Sequence, residues 1–320
     1  MKEIENLSNK IFELGELINN SIYYRQDVWN EKNTGNWSKL WSSFDNIKDS
    51  LEVIKEYLDL ESGGYLAIYG VLQALIVQQD SLQHIEESLG LLTKKFFLDY
   101  PDLYNIRFVR SEIVGHPTQT MIKGRNSSYN EGTVTYTSIS PGTGLRIVNY
   151  SVWSKKGYSS KSVNLLDIIK KQAEILDVEI DSIMKKIKDN EEKHIKEFKN
   201  ESLSDLLKTT GYLIQKLWPH ERDRYYSEVC LNSLKNIYKK YKLSIKKRYK
   251  LKKIDDNALS IPGVVIVVQK IDRLIPRIEK MVMFGQNVDE LDLDVYVESL
   301  SHAFDDLRKM AVEIDEEFKK

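Results

Sequence analysis

The stretch 164–187, NLLDIIKKQAEILDVEIDSIMKKI, carries the strongest structural signal in the chain. Leu166, Ile169, Ala173, Leu176, Ile180, Ile183 and Ile187 recur at alternating spacings of three and four, which on a helix lines one face with apolar side chains. The seam lasts three heptads and suits a long bundle helix or a short coiled coil. The period alone does not choose between them, and an intrachain partner is the expectation.

Helical text also lies upstream. Met1 to Asn20 reads as an amphipathic, charged helix through Ile4, Leu7, Ile11, Leu14 and Leu17 or Ile18, without the apolar core of a secretory leader. Further helices are expected over 37–60, 65–97 and 101–115, separated by Gly63-Gly64 and by Asp99-Tyr100-Pro101-Asp102, and together they form a small antiparallel bundle. The most apolar run, Gly64 to Val77, is shorter than the roughly 20 residues that cross a bilayer. No membrane association is expected.

From Pro117 to Lys161 the composition turns to Ser, Thr, Gly, Tyr and Asn. Thr133 to Ser140 and Leu145 to Trp153 alternate like strands around Pro141-Gly142-Thr143-Gly144, so a β-hairpin is expected, with a surface loop as its alternative. Downstream, helices are expected over 202–218, 221–241, 261–283 and 294–318, with Ser260 and Asp294 as N-caps and Pro262 in a first turn. The fold class is therefore mainly α. It divides into a bundle over 1–118, a hairpin or loop insertion over 119–160, a heptad-patterned helix over 161–200 and a helical region over 201–320. Only 6 Pro and 15 Gly in 320 residues leave few forced helix ends, which agrees.

The 47 Lys plus Arg offset 48 Asp plus Glu, so any affinity for a polyanion must be local. The one cysteine, Cys230, cannot form an internal bridge and reads as a small core residue, which fits a reducing cytoplasm. No Cys/His spacing suggests zinc, and no phosphate-loop, dinucleotide, zinc-protease, esterase or calcium-loop motif is present, so neither metal nor cofactor is expected. His194 stands near Glu191, Glu192 and Glu197, where a solvated helix face outweighs a metal site.

Polar residues in apolar company are the candidates that remain. On a helix over 102–115, Leu103, Ile106, Val109, Ile113 and Val114 make the apolar arc and Arg110 falls in its middle, so a guanidinium faces the core and must find an acid, snorkel out to solvent or line a cavity. Gly115 ends that helix and His116-Pro117 leaves it, while Glu112, four residues before His116, can orient the imidazole. Gln73, Val77, Asp80 and His84 form a second stripe at spacings of four, three and four, and Asp80 is the expected acid for Arg110 if the two faces meet.

The segment Arg110-Ser-Glu-Ile-Val-Gly-His116-Pro117, closing a helix that follows a long helix in a small bundle, resembles the HEPN superfamily motif, an Arg followed after four to six residues by a His. The similarity covers roughly residues 1–120. It implies a helical domain of a class frequent in toxin–antitoxin, abortive-infection and antiphage systems, many of whose members are metal-independent RNA endonucleases acting across a homodimer groove. Arg110 and His116 are then the catalytic pair, with Ser111, Glu112, Asp80 and His84 in support. Ser111 departs from the Asn, Asp or His that commonly follows the Arg in active members. A non-catalytic helical interaction or dimerisation protein is the alternative, with a protein partner or antitoxin.

A basic run supplies the candidate contact for RNA, tRNA included. From Lys235 to Lys253 no acid occurs, and Lys239, Lys240, Lys242, Lys246, Lys247, Arg248 and Lys250 interleave with Tyr238, Tyr241 and Tyr249. Cations can neutralise phosphates and rings can stack on bases, which also allows RNA binding without cleavage. The plain alternative is a solvated basic helix end covered by the acidic run 289–294.

Overall fold

The computed structural model describes residues 2–24, 34–60, 64–92, 100–114, 131–135, 145–150, 158–217, 224–251, 253–255, 261–284 and 290–319. Its elements, in chain order, are α1 (Lys2–Asn20), α2 (Thr34–Asp59), α3 (Tyr65–Ser88), α4 (Pro101–Val114), β1 (Glu131–Thr135), β2 (Leu145–Tyr150), β3 (Tyr158–Val163), α5 (Leu165–Phe198), α6 (Leu203–Leu207), α7 (Thr210–Gln215), α8 (Arg224–Arg248), α9 (Pro262–Phe284) and α10 (Glu290–Glu317). The chain is mainly α, as its periodicity implies. It divides into two units, one of residues 1–19 and 35–187, the other of 20–34 and 188–320. The division falls inside α5, which gives its first 23 residues to the first unit and its remainder to the second.

In the first unit the heptad seam finds partners within the chain. Ile169, Ala173, Leu176, Ile180, Ile183 and Ile187 are buried, as are Ile4, Leu7, Ile11, Leu14 and Ile18 of α1 and Leu72, Leu75 and Leu82 of α3. Lys10 of α1 reaches Asp177 and Asp181 of α5 at 2.8 and 2.6 Å. An amide network crosses the interior: Gln172 donates to Leu75 O at 2.8 Å and to Gln78 at 2.9 Å, and Gln79 donates to Gln172 at 2.7 Å. Buried amides are costly unless paired, so this network fixes how α3 and α5 pack.

α3 ends at Ser88, earlier than its apolar composition suggests, because Gly90 takes a left-handed turn (φ 67°). Gly90 N–H then reaches Glu87 O and Leu91 N–H reaches Glu86 O, which closes the last carbonyls. The strand-like text folds as an antiparallel sheet of order β1-β2-β3, with Val134 opposite Ile147 and Val148 opposite Ser160. The expected hairpin is thus two strands of three. β1 is described over 131–135 and β2 over 145–150, while 136–140, the proposed turn 141–144 and 151–153 lie outside the described residues.

The second unit packs α6 to α10 around one core that includes Leu231, Leu234, Tyr238, Tyr241, Ile271, Ile278, Phe304 and Leu307. Cys230 belongs to that core, as expected. The helix expected over 202–218 is instead two short ones, with the Thr210 hydroxyl donating to Leu207 O between them. α8 runs on to Arg248, so the basic run is helical as far as Arg248, and α10 starts at Glu290, which makes Asp294 an interior residue rather than its N-cap. Ser260 lies outside the described residues.

Candidate functional site

α3 and α4 pack antiparallel, and this pairing sets where the polar side chains meet. Arg107, not Arg110, takes Asp80: its Nη2 donates to the Asp80 carboxylate and its Nε to Gln79 Oε1 at 2.8 Å. Arg110 lies further toward the start of α3 and donates from Nη2 and Nε to Gln73 Oε1, at 2.8 and 3.2 Å. The expectation that Arg110 faces the core with Asp80 as its acid is overturned. Val109 and Ile106 fill the buried arc, and Arg110 occupies its half-buried flank beside an exposed amide.

Its charge is therefore held by a neutral acceptor. A neutral amide orients a guanidinium without compensating it, so the field of the cation remains available to an anion. One turn before Gln73 on α3 stands Tyr69, whose ring centroid is 5.9 Å from that of Tyr65. Tyr65 and Leu66 are 47% and 88% exposed. Sequence reasoning placed Gln73 on the polar stripe but passed over Arg107, Tyr65 and Tyr69. A second arginine three residues before Arg110, and aromatic residues one and two turns before Gln73, were the signals.

Ser111 is exposed on α4. The Glu112 side chain and all of His116 lie outside the described residues. His84 is half-buried and is not brought to Arg110, since it sits eleven residues, or about 16 Å, along α3 from Gln73.

A second polar cluster, unread in the sequence, joins α3, α5 and the start of α4. The Glu86 and Glu179 side chains are 5% and 11% exposed, with Lys186 3.4 Å from Glu86 and the Tyr100 hydroxyl donating to Glu179. Burial first, and then the neighbouring Glu179 charge, push the Glu86 carboxyl above the ordinary carboxylate range.

The basic run separates into structural and accessible parts. Tyr238, Tyr241 and Tyr249 are buried in the core, so the bases of an RNA have no access to their faces. Tyr238 donates to Val268 O at 3.0 Å and Tyr249 to Glu317 at 2.9 Å. Arg248 is fully buried, paired with Asp315 at 2.9 Å, and does not reach a phosphate. Asp315 in turn accepts from the backbone N–H groups of Leu203 and Ser204 at the start of α6. Burial alone would raise the Asp315 carboxyl, and these N–H groups hold it below its ordinary value. Lys242 is spent on Asp272 and Lys235 on Glu279, rather than on residues 289–294. Lys239, Lys240, Lys247, Lys250 and Lys253 are exposed and Lys246 is half-buried.

His194 is not on a solvated face. It is 5% exposed, its Nε2 lies 2.6 Å from Arg248 O, and burial pushes its imidazole below the usual value. Among the described residues no cluster of His, Cys, Asp and Glu is built to hold a metal, and no helix is long and apolar enough to cross a membrane. Comparison of the chain with protein-family models, with curated proteins and with solved structures finds no match.

Proposed function

We propose that the chain is a HEPN-like, metal-independent RNA endonuclease of the kind used in antiphage defence or toxin–antitoxin systems, acting as a homodimer. The observation that supports this reading is Arg110 itself. Its guanidinium is oriented by the neutral Gln73 amide, half-accessible, and relieved of Asp80 because Arg107 takes that carboxylate. The arginine meant for a phosphate thus keeps its charge, and a nearby carboxylate is neutralised by a different cation.

The chemistry follows from the two side chains. His116 takes the 2′-hydroxyl proton, the 2′-oxygen attacks the adjacent phosphorus, and the bond to the 5′-oxygen breaks as that oxygen regains a proton. Arg110 stabilises the charge that builds on the phosphoryl oxygens. Specific recognition rests with the unpaired bases rather than with the buried tyrosines of α8.

Purified protein incubated with total RNA and EDTA tests the reading. Cleavage is expected in the wild type and is expected to fall at least about a hundredfold in Arg110→Ala and in His116→Ala. Asp80→Asn is expected to retain cleavage, since Asp80 serves Arg107. Intact RNA in every lane, tRNA included, contradicts the proposal.

A further inference from the structure

The last carbonyls of α8 are all satisfied within the second unit. Tyr249 N–H reaches Ile245 O at 3.0 Å, Lys250 N–H reaches Lys247 O at 3.3 Å, and Leu251 N–H reaches Lys246 O at 2.8 Å. The Arg248 carbonyl accepts from His194 Nε2. Lysines at a helix C-terminus commonly serve such carbonyls and the helix dipole. Here that work is already done by backbone and imidazole.

The lysines instead border an open groove of about 520 Å³, a size typical of small-molecule sites. Its lining includes Lys246, Lys247, Lys250, Glu197, Leu243 and His194. Three ammoniums meet one carboxylate, and among the described residues none of the three lysines forms an ion pair. The adjoining groove, of about 340 Å³, is more evenly balanced, because Asp255 and Asp272 share it with its lysines and Lys242 is paired to Asp272.

Two features show that the first groove is built rather than merely exposed. His194 is boxed by the rings of Tyr23, Phe198 and Phe318, with centroids 5.2 to 5.8 Å away. Lys250 adopts a left-handed backbone (φ 51°) at the position where α3 uses Gly90 for the same closing turn, and its Nζ stands 3.1 Å from the Tyr23 ring centroid. A lysine kept where glycine is relaxed costs stability, and such strain collects where a side chain has work to do.

We infer that this groove binds a phosphate monoester of mononucleotide size, with its phosphate on the ammoniums of Lys246, Lys247 and Lys250 and its organic part over Leu243. With Nε2–H spent on the Arg248 carbonyl, the neutral His194 ring has Nδ1 left as an acceptor for a ligand hydroxyl. The site lies wholly in the second unit and uses neither Arg110 nor His116, so it stands whether or not the chain cleaves RNA.

Calorimetric titration of the full chain with AMP, GMP, CMP and UMP tests it, with adenosine and inorganic phosphate as controls. At least one monophosphate is expected to saturate the protein, adenosine to bind at least about tenfold more weakly, and Lys246→Ala/Lys250→Ala to lose about tenfold or more in affinity. Lys240→Ala, an exposed lysine outside the groove, is expected to bind as the wild type does. Lys240 and Lys250 are exposed and Lys246 is half-buried, and circular dichroism is expected to show each variant folded. A short RNA with a 5′-phosphate that displaces the nucleotide, when its 5′-hydroxyl counterpart does not, assigns the phosphate to an RNA end. Failure of both oligonucleotides to displace it assigns a free nucleotide. No saturation by any of the four up to about 10 mM, or equal affinity in the double lysine variant, overturns the inference.

Discussion

Arg248 and Asp315 are a buried pair whose members cannot be removed singly at low cost. Asp315→Ala leaves a guanidinium without its counter-ion and strips the start of α6 of its acceptor, so a loss of about 3–5 kcal/mol in urea unfolding is expected. Arg248→Met with Asp315→Leu is expected to recover part of that loss, because the unpaired charge disappears while the missing α6 cap remains. Two other residues couple stability to pH, with opposite signs. Burial depresses His194 below its ordinary 6.5, so the unfolded chain binds the proton more readily. Stability is then held above about pH 6.5 and lost as pH falls below it. Urea midpoints at pH 7.5 and 5.5 are expected to drop for the wild type and to drop less for His194→Gln. Glu86 is raised, so the folded chain holds its proton longer, and stability declines as pH climbs above the ordinary carboxylate value. Glu86→Gln is expected to gain midpoint at pH 8 and to lose that advantage near pH 4.5. None of this was legible beforehand. A histidine among glutamates reads as solvated on its own helix, and only the packing of Tyr23, Phe198 and Phe318 around it makes it an interior group.

Among the elements, α3 and α8 end in the same turn, one with glycine and one with lysine at the left-handed position. Lys250→Gly removes a left-handed steric penalty of about 1–2 kcal/mol, offset in part by the extra freedom of glycine in the unfolded chain, and stability in urea unfolding is expected to rise while nucleotide affinity falls. The amide network between α3 and α5 is a second element-scale test. Gln172→Leu removes the acceptor for Gln79 and the donors for Leu75 O and Gln78, and a loss of about 1–3 kcal/mol per orphaned group is expected in urea unfolding. Apolar periodicity announced α1 and α5 well, because burial and a 3.6-residue repeat coincide there. β3 escaped notice because Tyr-Ser-Ser-Lys-Ser-Val has no apolar alternation, and it pairs through the β2 backbone. The break between α6 and α7 escaped for the converse reason, since the apolar spacing runs on through it. The helix that carries Arg110 was legible, but its place on the flank rather than in the middle of the buried arc was not, and its partner depended on the register of α3 against α4, which the sequence of either helix alone does not specify.

For the whole molecule, near neutrality in net charge means that its interactions with polyanions are local, and the two candidate sites belong to different units. The lysines of α8 illustrate why a charge run is not a patch. Arg248 is sealed in the core, Lys235 and Lys242 are tied to acids of α9, and of the remaining cations Lys246, Lys247 and Lys250 gather at the end of the helix while Lys239 and Lys240 stand apart from them. The central claim is that Arg110 and His116 cleave RNA by activating its own 2′-hydroxyl. The most direct measurement is the chemistry of the new 3′ ends after incubation of total RNA in EDTA, compared with a 2′-O-methyl substrate of the same sequence. The account predicts 2′,3′-cyclic phosphate ends, 5′-hydroxyl partners and an uncut 2′-O-methyl strand. A 3′-hydroxyl end, cleavage of the 2′-O-methyl strand, or no cleavage of any RNA would contradict it.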